Sequence, residues 1–244
     1  MAITALVTPL TRQTLSADIY KQLRDLLMSG QLMPGEQLSL RTIADALRVS
    51  AMPVREAVNR LVAEQGLELS SNRILRVPVL TVSQFREITS VRTNLEGLAT
   101  VQATGLMEGK AFEEIESLHQ RFSREISQKR PDRSKLIAAN KELHFAIYRQ
   151  AGMPMLMKIV ESLWLRVGPI LNYDLRTDVS RVIEGVPADH HGRIVAALKK
   201  KDPGGAAEAL RQDIESAAEH IISAGVLVTA DAVPEVPAGV ARTS

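Results

Sequence analysis

The sequence predicts a mainly α-helical protein in two parts: a small N-terminal domain of three helices and one β-hairpin, then an all-α antiparallel bundle. Three observations predict it. Apolar residues recur at spacings of three and four along most of the 244 residues. Strand-like runs around a turn occur only near residues 65–79. Ala, Leu, Ile, Arg and Glu, which favour helix, are abundant.

Length and composition bound the rest. A chain of this length suits two domains better than one. Apolar residues make up 45% and aromatics only 3%, so the cores must be aliphatic. There is no Cys, which excludes disulfides and thiolate metal sites. No apolar run approaches the roughly 18 residues of a membrane span, and the N-terminus lacks the basic stretch of a signal peptide. The expected location is the cytoplasm. A net charge of +2 gives a weak overall field, so any nucleic-acid surface must come from local clustering, such as the six Arg between residues 41 and 76.

Taken in order, residues 1–14 read as a flexible arm. Residues 16–29 form a helix that ends at Gly30. After the Met33-Pro34-Gly35 turn, residues 39–62 hold two short amphipathic helices, marked by Ile43, Ala44 and Leu47 and then by Val54, Ala57, Val58 and Leu61. The break falls at Val49-Ser50, where Ser50 is placed to cap the second helix and Pro53 is tolerated in its first turn. That is a helix-turn-helix, whose second helix enters the DNA major groove. Arg41, Arg48, Arg55 and Arg60 lie on its exposed side, and arginine forks suit phosphates and guanine edges. Two apolar runs then flank Ser70-Ser71-Asn72, a hairpin with Arg73 and Arg76 near its tip. The whole, residues 15–80, reads as a winged helix-turn-helix.

These residues resemble the GntR family of bacterial transcription regulators. The resemblance rests on the entry helix Ile19-Tyr20-Lys21-Gln22-Leu23-Arg24, on Gly30-Gln31-Leu32-Met33-Pro34-Gly35 with Leu38, and on Val49-Ser50-x-x-Pro53-Val54-Arg55-Glu56-Ala57-Val58-x-x-Leu61. Residues 83–222 resemble the FCD effector domain of its FadR-like branch, through Val91-Arg92-x-x-Leu95-Glu96, Asn140-x-x-x-His144 and His191-x-x-Ile194-x-x-Ala197-Leu198. The resemblance implies an operator-binding regulator that pairs as a homodimer and responds to a small organic acid. It implies DNA contacts from Arg41, Ser50, Ala51, Met52, Pro53, Arg55, Arg60 and Arg73. Relatives commonly carry Arg-Thr where this chain has Ala51-Met52, and a wing-tip Gly where it has Ile74, so the bases read are expected to differ.

Residues 81–225 carry six helical stripes, with Ser83 as the expected cap of the first. The stripes are marked by Phe85, Ile88, Leu95, Leu98 and Ala99, by Phe112, Ile115, Leu118 and Phe122, and by segments of about 134–150, 154–170, 178–200 (broken near Gly185) and 205–223. The tail, 226–244, lacks periodicity and reads as disordered.

Three stripes hold polar residues where apolar ones belong. Asn140 and His144 share a line with Ile137 and Ile147, His191 with Ile194 and Leu198, and Asp213 with Leu210, Ala217 and Ile221. Burying such groups is costly unless they pair or coordinate something. Two His and one Asp suit Zn, Ni, Mn or Fe as a divalent ion; the bland alternative is a histidine hydrogen-bond network. Many FCD domains bind metal through Asp and three His, which places Asn140, His144, His191 and Asp213 at the ligand positions. His220 is a spare ligand, while His190 and His119 read as exposed. Arg92 reads either as an ion pair with Glu96 or, with Arg166, as an effector-binding arginine as in relatives. Trp164 and Tyr173 read as packing. The alternative function, a metal-dependent helical-bundle enzyme, lacks a nucleophile motif, a phosphate-binding glycine loop or HExxH.

Overall fold

Apolar faces at helical spacing assemble the N-terminal domain. In this computed structural model, residues 15–70, 74–171 and 185–228 are described. The expected arm, Arg73, Tyr173 and most of the tail lie outside them. Helix α1 (Leu15–Met28) buries Ile19, Tyr20, Leu23, Leu27 and Met28. It packs on α3 (Ala51–Ala63), which turns Val54, Ala57, Val58 and Leu61 inward. Helix α2 (Leu40–Leu47) starts at Ser39, whose hydroxyl accepts from the Thr42 amide at 3.3 Å. It ends at Arg48, left-handed at φ 55°. Ser50 occupies the N-cap position of α3 with an extended backbone, but its side chain makes no capping bond, so the capping expected of it is not made.

The expected hairpin forms from β2 (Glu68–Leu69) and β3 (Leu75–Arg76). A third strand, β1 (Gln37–Leu38), pairs on the other side of β3, with Gln37 opposite Arg76. Two residues are too few for alternation to reveal a strand.

The second domain is the expected bundle. Among the described residues it comprises α4 (Val82–Leu106), α5 (Gly109–Ile126), α6 (Arg133–Arg149), α7 (Pro154–Leu171), α8 (Val186–Lys199) and α9 (Pro203–Ser223). Helix α9 packs along α4 and α8, and α5 along α6 and α8. The cap of α4 is Thr81 rather than Ser83: Thr81 and Gln84 exchange bonds of 3.2 and 3.0 Å in a capping box. Gly185, at φ 73°, stands immediately before α8, at the expected break.

Helix α7 joins the two domains. A side chain at Gly168 would meet the Leu27 carbonyl at 2.7 Å, so glycine is what lets the end of α1 lie against α7. Gly66 admits Leu165 in the same way, at 2.8 Å, and Arg24 pairs with Glu161 at 2.7 Å. The tail corrects one expectation. Leu227 is buried with Leu80, Phe85 and Ile221, and Val228 accepts from the Val82 amide and donates to the Leu80 carbonyl. Residues 226–228 therefore clasp the interdomain linker, a pairing of two short segments that periodicity does not register.

Candidate functional site

The open side of the helix-turn-helix is built as its pattern requires. With Val54, Ala57 and Val58 turned inward, α3 leaves Ala51, Met52, Arg55, Glu56 and Asn59 exposed and Pro53 half-buried. Arg41 is almost fully exposed at the start of α2, loosely paired with Asp45 at 3.9 Å. Arg60 is placed differently. Its guanidinium lies 3.7 Å from the Tyr20 ring centroid and its Nε donates to Glu64 at 3.0 Å, which commits it to the α1–α3 contact. Glu64 comes four positions after Arg60, one turn of helix, and that spacing captures it. Tyr20 also donates to Glu64, and burial first, then Glu64, pushes its phenol up to about 12. Arg76 is held by Glu68 at 2.5 Å. Of the described arginines of the helix-turn-helix, Arg41, Arg48 and Arg55 are left facing outward, Arg55 with the exposed end of α3.

Within the bundle, the inward line of α4 is Phe85, Ile88, Arg92, Glu96, Ala99 and Ala103. Leu95 is half-buried and Leu98 exposed, unlike the expected stripe. Arg92 and Glu96 form the i,i+4 pair at 2.8 Å, with side chains only 4% and 0% exposed. The Arg92 guanidinium also stands 5.1 Å from the Trp164 ring. Glu96 collects further donors: Trp164 Nε1 at 3.0 Å and the Tyr148 hydroxyl at 2.5 Å. Tyr148 in turn contacts His144 Nδ1 at 3.1 Å, and His144 Nε2 lies 3.4 Å from Asp213 Oδ2. A continuous buried line thus runs Arg92, Glu96, Tyr148, His144, Asp213 across α4, α6 and α9.

His191, from α8, completes the cluster. It is fully buried, and among the described residues neither ring nitrogen has a hydrogen-bond partner. Burial lowers it to about 3, so the ring is neutral. One ligand atom each from His144, His191 and Asp213 lies within 4.8 Å of the others. Burial alone would raise the Asp213 carboxyl, but its contacts, with His144 first and then His191, hold it near 2. This donor set fits a divalent cation: one carboxylate, and imidazoles that include a neutral, unpartnered one.

Other expected residues fall elsewhere. Asn140 is half-buried one turn before His144. Arg166 lines a cleft between the wing side of the N-terminal domain and the linker, beside Gln65, Leu67, Glu68, Pro78 and Leu80. Two positions after Trp164, it points about 200° away from the cluster, so it does not join Arg92. His220 is not in the His144–His191–Asp213 group. His119 is half-buried and acts electrostatically on His191, and His190 is half-buried too; neither is simply exposed. Glu96 and Tyr148 were not expected here. The signal was present, since Glu96 follows Arg92 and Tyr148 follows His144 by one turn, on inward faces.

Known proteins resemble this chain in both of its parts. Residues 15–77 match the family described as bacterial regulatory proteins, gntR family, and residues 87–216 match the FCD domain. The HTH-type transcriptional regulator McbR of Escherichia coli (strain K12) is 30% identical over 205 residues, covering 82% of this chain and 91% of McbR. The HTH-type transcriptional repressor GlaR of the same strain is 24% identical over 213 residues, covering 82% of this chain and 92% of GlaR. The solved structure of E. coli McbR/YncC superposes with a TM-score of 0.80 at 27% identity, covering 88% of this chain and all of that one. A GntR regulator from Rhodococcus sp. RHA1 shares the fold, with a TM-score of 0.69 at 24% identity, over 86% of this chain and 98% of its own.

Proposed function

The chain belongs to the GntR family of bacterial regulatory proteins, and on that premise we propose that it is a homodimeric repressor whose grip on an operator is set by a small carboxylate. It is a DNA-binding transcription regulator with an FCD domain. Repression is inferred from relatives named as repressors, GlaR and RspR of E. coli (strain K12) among them. The relatives named above are transcription regulators, which favours this reading over the enzyme alternative, and a regulator of this kind works in the cytoplasm beside its DNA.

The observation that carries the sensing role is His191, buried beside His144 and Asp213 with two nitrogens that have no partner among the described residues. A buried polar group without a partner is expensive, and a ligand removes that cost. His144, His191 and Asp213 would hold a divalent ion, with Asn140 close by in sequence. Such an ion would supply open positions for carboxylate oxygens. Arg92 adds positive charge on the α4 side, moderated by Glu96. Helix α7 carries Trp164 toward this network and Leu165 and Gly168 toward the N-terminal domain, which gives a route between the two sites.

In the proposed homodimer the second copy would lie against the outward face of α4. Val91, Leu98, Val101 and Leu106 are 39–55% exposed there, at spacings that repeat every three to seven residues. Two reading heads then address two half-sites about one DNA turn apart.

The test combines a gel shift with a thermal-shift screen. Arg55→Ala should weaken operator binding by about 1–3 kcal/mol without lowering stability. Carboxylic acids with Zn²⁺ or Ni²⁺ should raise the melting temperature of the wild type and not of His191→Ala. Unchanged operator affinity in Arg55→Ala removes that residue from the interface. Wild type that gains stability from no metal or acid refutes the sensing role.

A further inference from the structure

Tyr148 stands between two groups that make opposite demands on one hydroxyl. Its oxygen lies 2.5 Å from Glu96 Oε2 and 3.1 Å from His144 Nδ1. Glu96 is itself fixed, because Arg92 Nε and Trp164 Nε1 both donate to Oε1, at 2.8 and 3.0 Å. Oε2 takes the phenol as its close donor, with Arg92 Nη2 farther off at 3.5 Å. A carboxylate only accepts, so the phenol proton points at Glu96. The Tyr148 oxygen then offers His144 nothing but lone pairs, and Nδ1 must be the nitrogen that donates. A neutral imidazole has a single N–H. His144 Nε2 is therefore bare, facing Asp213 Oδ2 at 3.4 Å.

The opposite tautomer would place a proton between Nε2 and Asp213 and turn the phenol toward Nδ1. It would give up the short contact of 2.5 Å to a carboxylate for one of 3.4 Å, and would leave Glu96 Oε2 without its phenol donor inside the bundle. Distance decides in favour of the first arrangement.

We propose that Glu96 and Tyr148 are positioning residues for the buried cluster: Glu96, acting through the Tyr148 hydroxyl, holds the His144 proton on Nδ1 and presents a bare Nε2 toward Asp213 and His191. Outer partners that fix a histidine tautomer are how a protein readies an imidazole to bind a cation. That consequence rests on the metal reading above, whereas the tautomer does not.

Long-range proton–nitrogen NMR of ¹⁵N-labelled, chelator-treated full chain reads the tautomer directly. It is recorded above the ordinary imidazole titration range, with His144→Gln identifying the signal among five histidines. Wild-type His144 should carry its proton on Nδ1. In Glu96→Gln the amide oxygen should go to the two donors, Arg92 and Trp164, and the amide NH₂ should face Tyr148. The phenol then turns to His144, and the proton moves to Nε2. Tyr148→Phe removes the acceptor and should cause the same switch, which keeps the test alive if Glu96→Gln does not fold. Ni²⁺ affinity, by titration calorimetry, should fall about 10–100-fold in both variants. A wild-type proton on Nε2, a doubly protonated ring, or folded variants that keep the Nδ1 proton and only lose stability would overturn the proposal. The expected switch in a protein that binds neither Ni²⁺ nor Zn²⁺ would support the positioning role and overturn the metal reading alone.

Discussion

The two domains contain the same small construction in opposite surroundings. In the N-terminal domain, Arg60 pairs with Glu64 one turn later, Tyr20 donates to that carboxylate, and the guanidinium covers the Tyr20 ring. In the bundle, Arg92 pairs with Glu96 one turn later, Tyr148 donates to that carboxylate, and the guanidinium faces Trp164. The side chains of the first pair are 57% and 32% exposed, and those of the second 4% and 0%. Water screens the first, which fastens α1 to α3. The second has no water to fall back on, so each of its members must be answered by another, and the line of answers continues to His144 and Asp213. Residue types and spacing do not separate the two pairs; burial does.

Glu96→Ala should have the largest effect. It leaves Arg92 charged and Tyr148 and Trp164 without their acceptor inside the bundle, a loss expected at about 3–5 kcal/mol. Urea unfolding followed by Trp164 fluorescence measures it, because Trp164 is the single tryptophan and reports the bundle. Replacing both partners with apolar residues, Arg92→Met with Glu96→Leu, should recover most of the loss. A Glu96→Ala loss under about 1 kcal/mol would show that the buried pair is solvated after all.

The same contrast explains what was legible in the sequence. Val54, Ala57, Val58 and Leu61 revealed α3 because apolar periodicity marks a core directly, and the exposed Arg55 followed by elimination. The bundle helices were found in the same way. Periodicity treats a polar residue as surface, however, so Glu96 was read only as a partner for Arg92, and Leu98 as core. His144, His191 and Asp213 emerged because they interrupt apolar stripes. Tyr148 is amphipathic and interrupts nothing. Arg166 and Arg60 show the converse limit: a residue on a plausible helix is aimed by its exact azimuth and captured by its nearest carboxylate. The Leu227–Val228 clasp depends on a contact across most of the chain, which no local pattern carries.

Acid should separate the domains by a smaller step. His191 is held neutral at about 3, against the ordinary 6.5, while the unfolded chain protonates near 6.5. The folded state therefore keeps its full advantage above about pH 6.5 and loses it progressively down to about 3, at about 1.4 kcal/mol per pH unit for this one group. Asp213, lowered from 3.8 to about 2, stabilises above 3.8, and its contribution is lost only below that. All five histidines lie in the bundle. Chelator-treated protein titrated from pH 7 to 5 should lose stability by Trp164 fluorescence, and His191→Phe should flatten that slope. An equal slope in the variant would assign acid sensitivity to other groups.

The smallest effect belongs to the exposed pair. Glu64→Ala removes the acceptor of both Arg60 and Tyr20, yet Arg60 keeps access to water, and its guanidinium keeps its place over the ring. The expected loss is under about 1 kcal/mol, after solvent screening is allowed for. It should shrink further as salt approaches about 1 M, where the Debye length is only about 3 Å. The freed charge of Arg60 should also strengthen non-specific DNA binding slightly at low salt, since one more cation faces the phosphates. The measurement is again urea unfolding, at low and high salt, on Glu64→Ala beside Glu96→Ala. If the exposed variant lost as much as the buried one, and salt did not matter, burial would not be what distinguishes the two pairs. The α1–α3 contact would then depend on a charge that its exposure makes dispensable.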